Sequence, residues 1–134
     1  MNTRHNDFLL ALAIIVAAGA GGGAAAQQAG FTRTMLLDQD LSIAGQHVVQ
    51  ARAEFQAGVG SGRHTHPGEE IGYVLEGQVE VVIDGKPAIQ LKAGESFFIP
   101  AGLVHEGRNV GQTAAKILAT YVVEKGKPVS TPAK

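Results

Sequence analysis

The chain has no cysteine and no tryptophan, and only two tyrosines and two methionines. Without cysteine there is no disulfide framework, no thiolate metal site, no cysteine nucleophile and no lipid-modified cysteine anchor. Surplus charge is missing too, since eleven Lys and Arg stand against twelve Asp and Glu. Nucleic-acid binders usually carry a basic excess, so no nucleic-acid partner is expected. Long hydrophobic runs are absent: residues 8–18 (FLLALAIIVAA) form an unbroken apolar stretch of only 11. A bilayer span takes about 20 such residues. No Ser-His-Asp order, phosphate-binding loop, basic-aromatic patch or internal repeat is visible. What the chain has in excess is glycine, 18 of 134 residues, about twice the ordinary share. Many glycines with few aromatics point to tight turns rather than long helices.

The amino-terminal 26 residues read as an export signal. Arg4 lies in a polar start, the apolar run follows, and small residues end at Ala24-Ala25-Ala26. Charged start, short apolar middle and small-residue cleavage site are the order of a secretory signal peptide. The general route is favoured because no adjacent arginine pair is present. Cleavage after Ala26 leaves 108 residues, enough for one core. A periplasmic or secreted protein without a stable membrane anchor is expected. Gly19-Ala20-Gly21-Gly22-Gly23-Ala24 fits the dinucleotide-binding glycine pattern. That pattern needs a following helix, and Gln27-Gln28-Ala29-Gly30 starts none, so it reads as the end of the signal.

The remainder alternates. In residues 46–56, Val49, Ala51, Ala53 and Phe55 share one face, while Gln50, Arg52 and Glu54 share the other. A period of two over such a stretch marks a half-buried strand. Further strands are expected at 71–75, 78–83, 88–91, 95–99 and 114–123. They are separated by Glu76-Gly77, the hairpin-type dipeptide Asp84-Gly85, Ala93-Gly94 and Pro100-Ala101-Gly102. Short strands at this spacing indicate a sandwich or closed barrel. The chain is therefore expected to be all-β, with a barrel over 46–123. Residues 27–45 would pack on or extend it. Residues 124–134, with three lysines and two prolines, would form a flexible, solvated tail.

His64-Thr65-His66 carries the chemistry. Residues i and i+2 of a strand point to the same face, so two imidazoles can converge. Pro67-Gly68 reads as a turn that lets Glu70 come back to the same point, and His105 can add a third imidazole from a neighbouring strand. Three neutral nitrogens and one carboxylate suit Mn, Fe, Co, Ni, Cu or Zn. The plainer alternative for His-x-His alone is a pair of surface or packing histidines.

The glycine spacing around these residues resembles the cupins. Their first motif is glycine, five residues, His-x-His, three or four residues, glutamate, six residues, glycine. Here Gly58 precedes VGSGR, His64-Thr65-His66, PGE, Glu70, IGYVLE and Gly77. Their second motif is glycine, five residues, Pro-x-Gly, two residues, histidine, three residues, asparagine. Here Gly94 precedes ESFFI, Pro100-Ala101-Gly102, LV, His105, EGR and Asn109. The resemblance implies a single-domain jelly-roll barrel. It also implies one divalent metal held by His64, His66, Glu70 and His105. Four protein ligands would leave two positions of a six-coordinate ion open, as catalysis requires. Gly58, Gly60 and Gly62 would turn the backbone into the ligand strand, and Asn109 with Pro100-Gly102 would aim His105. Gly72 and Val74, on the parity of Glu70, would leave room beside the ion, and Tyr73 would face outward.

Other residues are weighed against that site. Glu69 and Tyr121 are the candidates for proton transfer. Glu69 neighbours a ligand but points the other way on an extended chain, and Tyr121 lines the lumen or packs in the core. One of Phe97 and Phe98 should face the lumen. Arg63 reads as a surface residue and His47 as a hydrogen-bonded core histidine. The resemblance implies a metalloenzyme taking a small enol, phenol or hydroxy-acid. A dioxygenase is the first expectation, with decarboxylase, isomerase or lyase also open. The alternative is a non-catalytic module binding a metal or sugar acid. A homodimer is left open.

Overall fold

Alternation of apolar and polar residues builds this protein strand by strand. A computed structural model describes residues 28–134; the segment 1–26 expected to be an export signal lies outside them. Ten strands and no helix occur among the described residues: β1 (Phe31–Asp40), β2 (Gln46–Phe55), β3 (His64–Thr65), β4 (Gly68–Glu76), β5 (Gln78–Ile83), β6 (Ile89–Lys92), β7 (Ser96–Ile99), β8 (His105–Asn109), β9 (Ala115–Glu124) and β10 (Thr131–Pro132). No helix there is long and apolar enough to cross a membrane. The strands form two five-stranded antiparallel sheets, ordered β1-β2-β9-β4-β7 and β10-β3-β8-β5-β6. The fold is the all-β jelly-roll barrel that the sequence led us to expect.

The period of two decides what each strand buries. On β2, Val49, Ala51, Ala53 and Phe55 are buried, and on β9 so are Ala115, Ile117, Ala119, Tyr121 and Val123. Inward residues of β5 (Val79, Val81, Ile83) complete the opposite wall. β4 buries Gly68, Glu70, Gly72 and Val74 and exposes Glu69, Ile71, Tyr73 and Leu75. A carboxylate therefore sits on a parity otherwise reserved for small and apolar groups.

One region is defined more finely than in the sequence reading, and two depart from it. Residues 31–40 pair with β2 over nearly their whole length, from Phe31↔Phe55 to Asp40↔His47. Their outer half is exposed on both faces, so no alternation announces the strand. Gly68 does not make a turn but begins β4. Residues 124–134 are not a flexible tail. Glu124 ends β9, and Thr131 and Pro132 pair with Thr65 and His64. Ala133 N donates to Arg63 O at 2.9 Å, and Arg63 Nε donates to Lys134 O at 3.1 Å. Edge strands leave backbone groups unpaired, and this returning segment covers the free edge of β3.

Gly68 shows how closely β4 and β9 approach. A Cβ built there would lie 1.9 Å from Val122 O, a backbone atom that cannot step aside. Overpacking of this kind costs about 1–3 kcal/mol. Gly68→Ala should lower unfolding free energy by about 3 kcal/mol in urea titration. Gly85→Ala, in open space at φ 75°, should cost about 1–2 kcal/mol, the ordinary left-handed penalty.

Candidate metal centre

Four polar side chains meet inside the barrel. His64 lies on β3, His66 in the link that follows, Glu70 on β4 and His105 on β8. All four are buried, between 3 and 7% exposed. His64 and His105 are direct cross-strand partners, so two imidazoles from one sheet face the carboxylate from the other. One ligand atom from each of the four lies within 4.8 Å of the rest.

The backbone sets which ring nitrogen faces inward. His64 Nδ1 donates to Gly62 O at 2.7 Å, and His105 Nδ1 donates to Leu103 O at 2.9 Å. His66 Nδ1 donates to Val129 O. A metal-binding histidine is held in this way by a hydrogen bond from its other nitrogen. In a neutral ring with Nδ1 protonated, Nε2 keeps its lone pair. The Nε2 atoms of His64 and His66 lie 3.2 Å apart. Those of His66 and His105 lie 3.0 and 3.1 Å from Glu70 Oε2. Lone pairs of four acceptors converge on one small space, and a cation reconciles them. The N₃O donor set fits a divalent transition metal.

Electrostatics agree with that fit. Burial pushes the His64 imidazole down to about 4, helped by the neighbouring His105 and His66. Burial opposes ionisation of Glu70, but the neighbouring His105 and His66 outweigh it and hold its carboxyl at about 2. His64 is thus poised as a neutral imidazole and Glu70 as an ionised carboxylate, the states in which such groups bind metal.

The other predicted residues divide clearly. Tyr121 lies inside, its ring 4.6 Å from that of His66. Burial and then the charge of Glu70 push its phenol well above the usual range, so it keeps its proton. Glu69 is exposed on the outer face of β4 and is not brought to the centre. Phe97 faces the cavity, whereas Phe98 is 54% exposed. Gly72 does not leave open room: a Cβ there would lie 2.0 Å from Phe97 Cζ, because that ring fills the space. His47 is half-buried away from the site and donates from Nδ1 to Asp38 Oδ1 at 2.8 Å. Arg63 pairs with Asp84 at 2.8 Å, outside the cavity. Asn109 ties three segments, donating to Phe55 O and Thr113 O and accepting from Gly111 N.

A cavity of about 30 Å³ adjoins the ligands, lined among others by Phe97, Tyr121 and Arg33. One water needs about 10–15 Å³ on this measure. The sequence reading did not single out Arg33, because β1 shows no alternation that would assign its face. It also missed the Val129 carbonyl, which as a backbone group leaves no sequence signal.

Two outcomes test this geometry. His64→Ala, His66→Ala and His105→Ala should each abolish stoichiometric metal binding, measured by mass spectrometry of the dialysed protein. His47→Ala should leave it unchanged. Deleting residues 128–134 removes the acceptor of His66 and should weaken metal affinity about 10–100-fold, the usual effect of losing such a partner. Acid is the second test. Folded His64 resists protonation below its unfolded value of 6.5. Its contribution is therefore complete above pH 6.5 and lost as pH falls towards 4. For Glu70 the loss runs from 4.5 down to about 2. Both signs make acid destabilising, with His64 contributing on the order of 3 kcal/mol. Thermal melts of the apoprotein should fall steadily from pH 7 to 4. Metal affinity should fall with them, and a flat affinity from about pH 7 to 5 would exclude three-histidine ligation.

Comparison with known proteins places this site in a family. The cupin-domain model matches residues 51–131. Germin-like protein subfamily 2 member 2 of Arabidopsis thaliana is 37% identical over 76 residues, 53% of this chain and 35% of that protein. The HTH-type transcriptional regulator PuuR of Escherichia coli is 37% identical over 68 residues, 50% of this chain and 36% of the regulator. The chain thus matches only about a third of the length of these curated relatives. A solved structure of oxalate oxidase in complex with the substrate analogue glycolate superposes with a TM-score of 0.62 at 30% identity. It covers 76% of this chain and 55% of that one. Motifs, barrel, buried ligand cluster and domain match agree, and the chain belongs to the cupin family.

Proposed function

We propose that this chain is an exported metallo-cupin that binds a small hydroxy-acid or dicarboxylate at its centre and acts on it as an oxidoreductase. The observation that carries this reading is the cavity beside His64, Glu70 and His105. A closed structural site would have a fifth or sixth side chain in that space. At about 30 Å³ it has room for about two waters, so a ligand that enters beside the ion must be small. The likeness to an oxalate oxidase that binds glycolate supports the same ligand size. Export rests on the charged start, the short apolar run and the Ala-Ala-Ala site before Gln27, and intact mass of exported protein should begin at Gln27.

A bound divalent ion would supply Lewis acidity and, where redox-active, one-electron chemistry. The chain's own residues do the rest. His64, His66 and His105 would hold the ion without changing its charge, and Glu70 would cancel one unit of it. The Tyr121 phenol stays protonated at neutral pH and serves as a donor or wall rather than as a base. Phe31, Phe55 and Phe97 line the cavity and exclude bulk water, which strengthens charge interactions inside.

A second reading is a non-catalytic binding module, favoured by the equal likeness to a transcriptional regulator. One experiment separates the two. Protein loaded with Mn, Fe, Co, Ni or Cu is offered glycolate and oxalate, with binding followed by absorption or electron paramagnetic resonance and turnover by oxygen uptake and product analysis. Spectral change with turnover for at least one metal is the expected result. Binding without turnover by every metal would support the module. No spectral response to either acid would mean a closed site and end the enzyme reading.

A further inference from the structure

Four arginines lie in the described residues, and three face a carboxylate: Arg52 to Glu54 at 3.5 Å, Arg63 to Asp84 at 2.8 Å and Arg108 to Glu106 at 2.8 Å. Arg33 does not. Its Nε is buried and has no hydrogen-bond partner among the described residues. Its place in β1 explains why. Phe31 pairs with Phe55 and Arg33 with Ala53, and Ala53 and Phe55 are inward residues. Arg33 therefore occupies the inward parity of a strand pair that is otherwise apolar there.

The guanidinium is held rather than loose. Its Cζ stands 5.7 Å from the Phe31 ring centroid and 5.8 Å from that of Tyr121. Stacking of a cation on aromatic faces within about 6 Å is favourable. The same cavity touches Arg33, Tyr121, His64, Glu70 and His105. A fixed cation therefore stands across a small space from the metal ligands. Arg33 is half-buried, and its shielded Nε lacks a partner among the described residues; an anion in the cavity would supply one.

We infer that Arg33 is the specificity-determining residue of the pocket, pairing with the carboxylate of a metal-chelating acid that lies away from the ion. Its planar fork suits a carboxylate bidentately. Charge sets the preference. A divalent ion and Glu70 together leave one positive charge, and Arg33 adds a second. A two-carbon acid with two carboxylates neutralises the pocket, whereas one with a single carboxylate leaves a cation uncompensated. The inference rests on the reading of the centre as open to small acids, and it adds the residue that ranks those acids by charge.

The test compares oxalate, glycolate and nitric oxide as probes of the Fe(II)- or Co(II)-loaded full chain, with metal content checked by mass spectrometry. Nitric oxide reports access to the ion without using charge. The unmodified protein should bind oxalate at least tenfold more tightly than glycolate. Arg33→Met should erase that preference while leaving metal content and the nitric oxide signal unchanged. Arg33→Lys, which keeps the charge and loses the fork, should retain part of it. The apoprotein melting temperature of Arg33→Met should be equal or higher, since an unpaired inward charge is removed; a merely structural Arg33 would lower it. Overturning results are an Arg33→Met protein that keeps the preference, or an unmodified protein that has none while nitric oxide still binds. If neither acid nor nitric oxide reaches the ion in the unmodified protein, the open-site reading falls, and this inference with it.

Discussion

Everything in this barrel is arranged around four acceptors that repel one another. Three imidazole lone pairs and a carboxylate are held within hydrogen-bonding distance at less than a tenth exposure. Desolvation makes that convergence costly, and only a cation placed among them turns the repulsion into attraction. The surroundings are built to maintain it. Carbonyls of Gly62, Leu103 and Val129 occupy the three Nδ1 positions, so no ring can rotate its lone pair away without losing a bond.

This constraint explains which elements matter most. Ligands from β3 and β8 belong to one sheet and Glu70 on β4 to the other, so a bound ion ties the two sheets. Metal affinity then becomes part of folding free energy. The returning segment after β9 has two roles at once. It pairs with β3 through Thr131 and Pro132 and presents the Val129 carbonyl to His66. A chain end that looks dispensable by composition thereby fixes the imidazole of His66.

The sequence was most readable where side chains alternate or where spacing is rigid. Val49 to Phe55 and Gln78 to Ile83 announce strands because burial alternates residue by residue. The quartet His64, His66, Glu70 and His105 is legible because its spacing, with that of the surrounding glycines, resembles the cupin motifs. What stayed hidden lacks either signal. β1 exposes most of its residues, so its inward pair, Phe31 and Arg33, could not be told from its surface. β8 reads His-Glu-Gly-Arg-Asn and is a strand only because β3 and β5 flank it. The lysines and prolines of the last eleven residues suggest solvation, yet an edge strand needs backbone groups and tolerates such side chains. Gly72 resembled empty space in sequence and proved to be the seat of the Phe97 ring.

The interior is divided by polarity in a way that a binding reading alone does not require. One wall is apolar, from Phe31, Phe55 and Phe97, and excludes water. The opposite side carries the ligands, with Tyr121 packed against His66 and kept protonated by burial and by Glu70. Between them stands Arg33, stacked on Phe31 and Tyr121. A storage site for a bare ion gains nothing from a second cation nearby, because like charges at short range weaken its hold. An anion joining the ion would relieve that repulsion. Arg33 is thus a residue that the proposed binding of metal and acid together would use and that a bare ion would not.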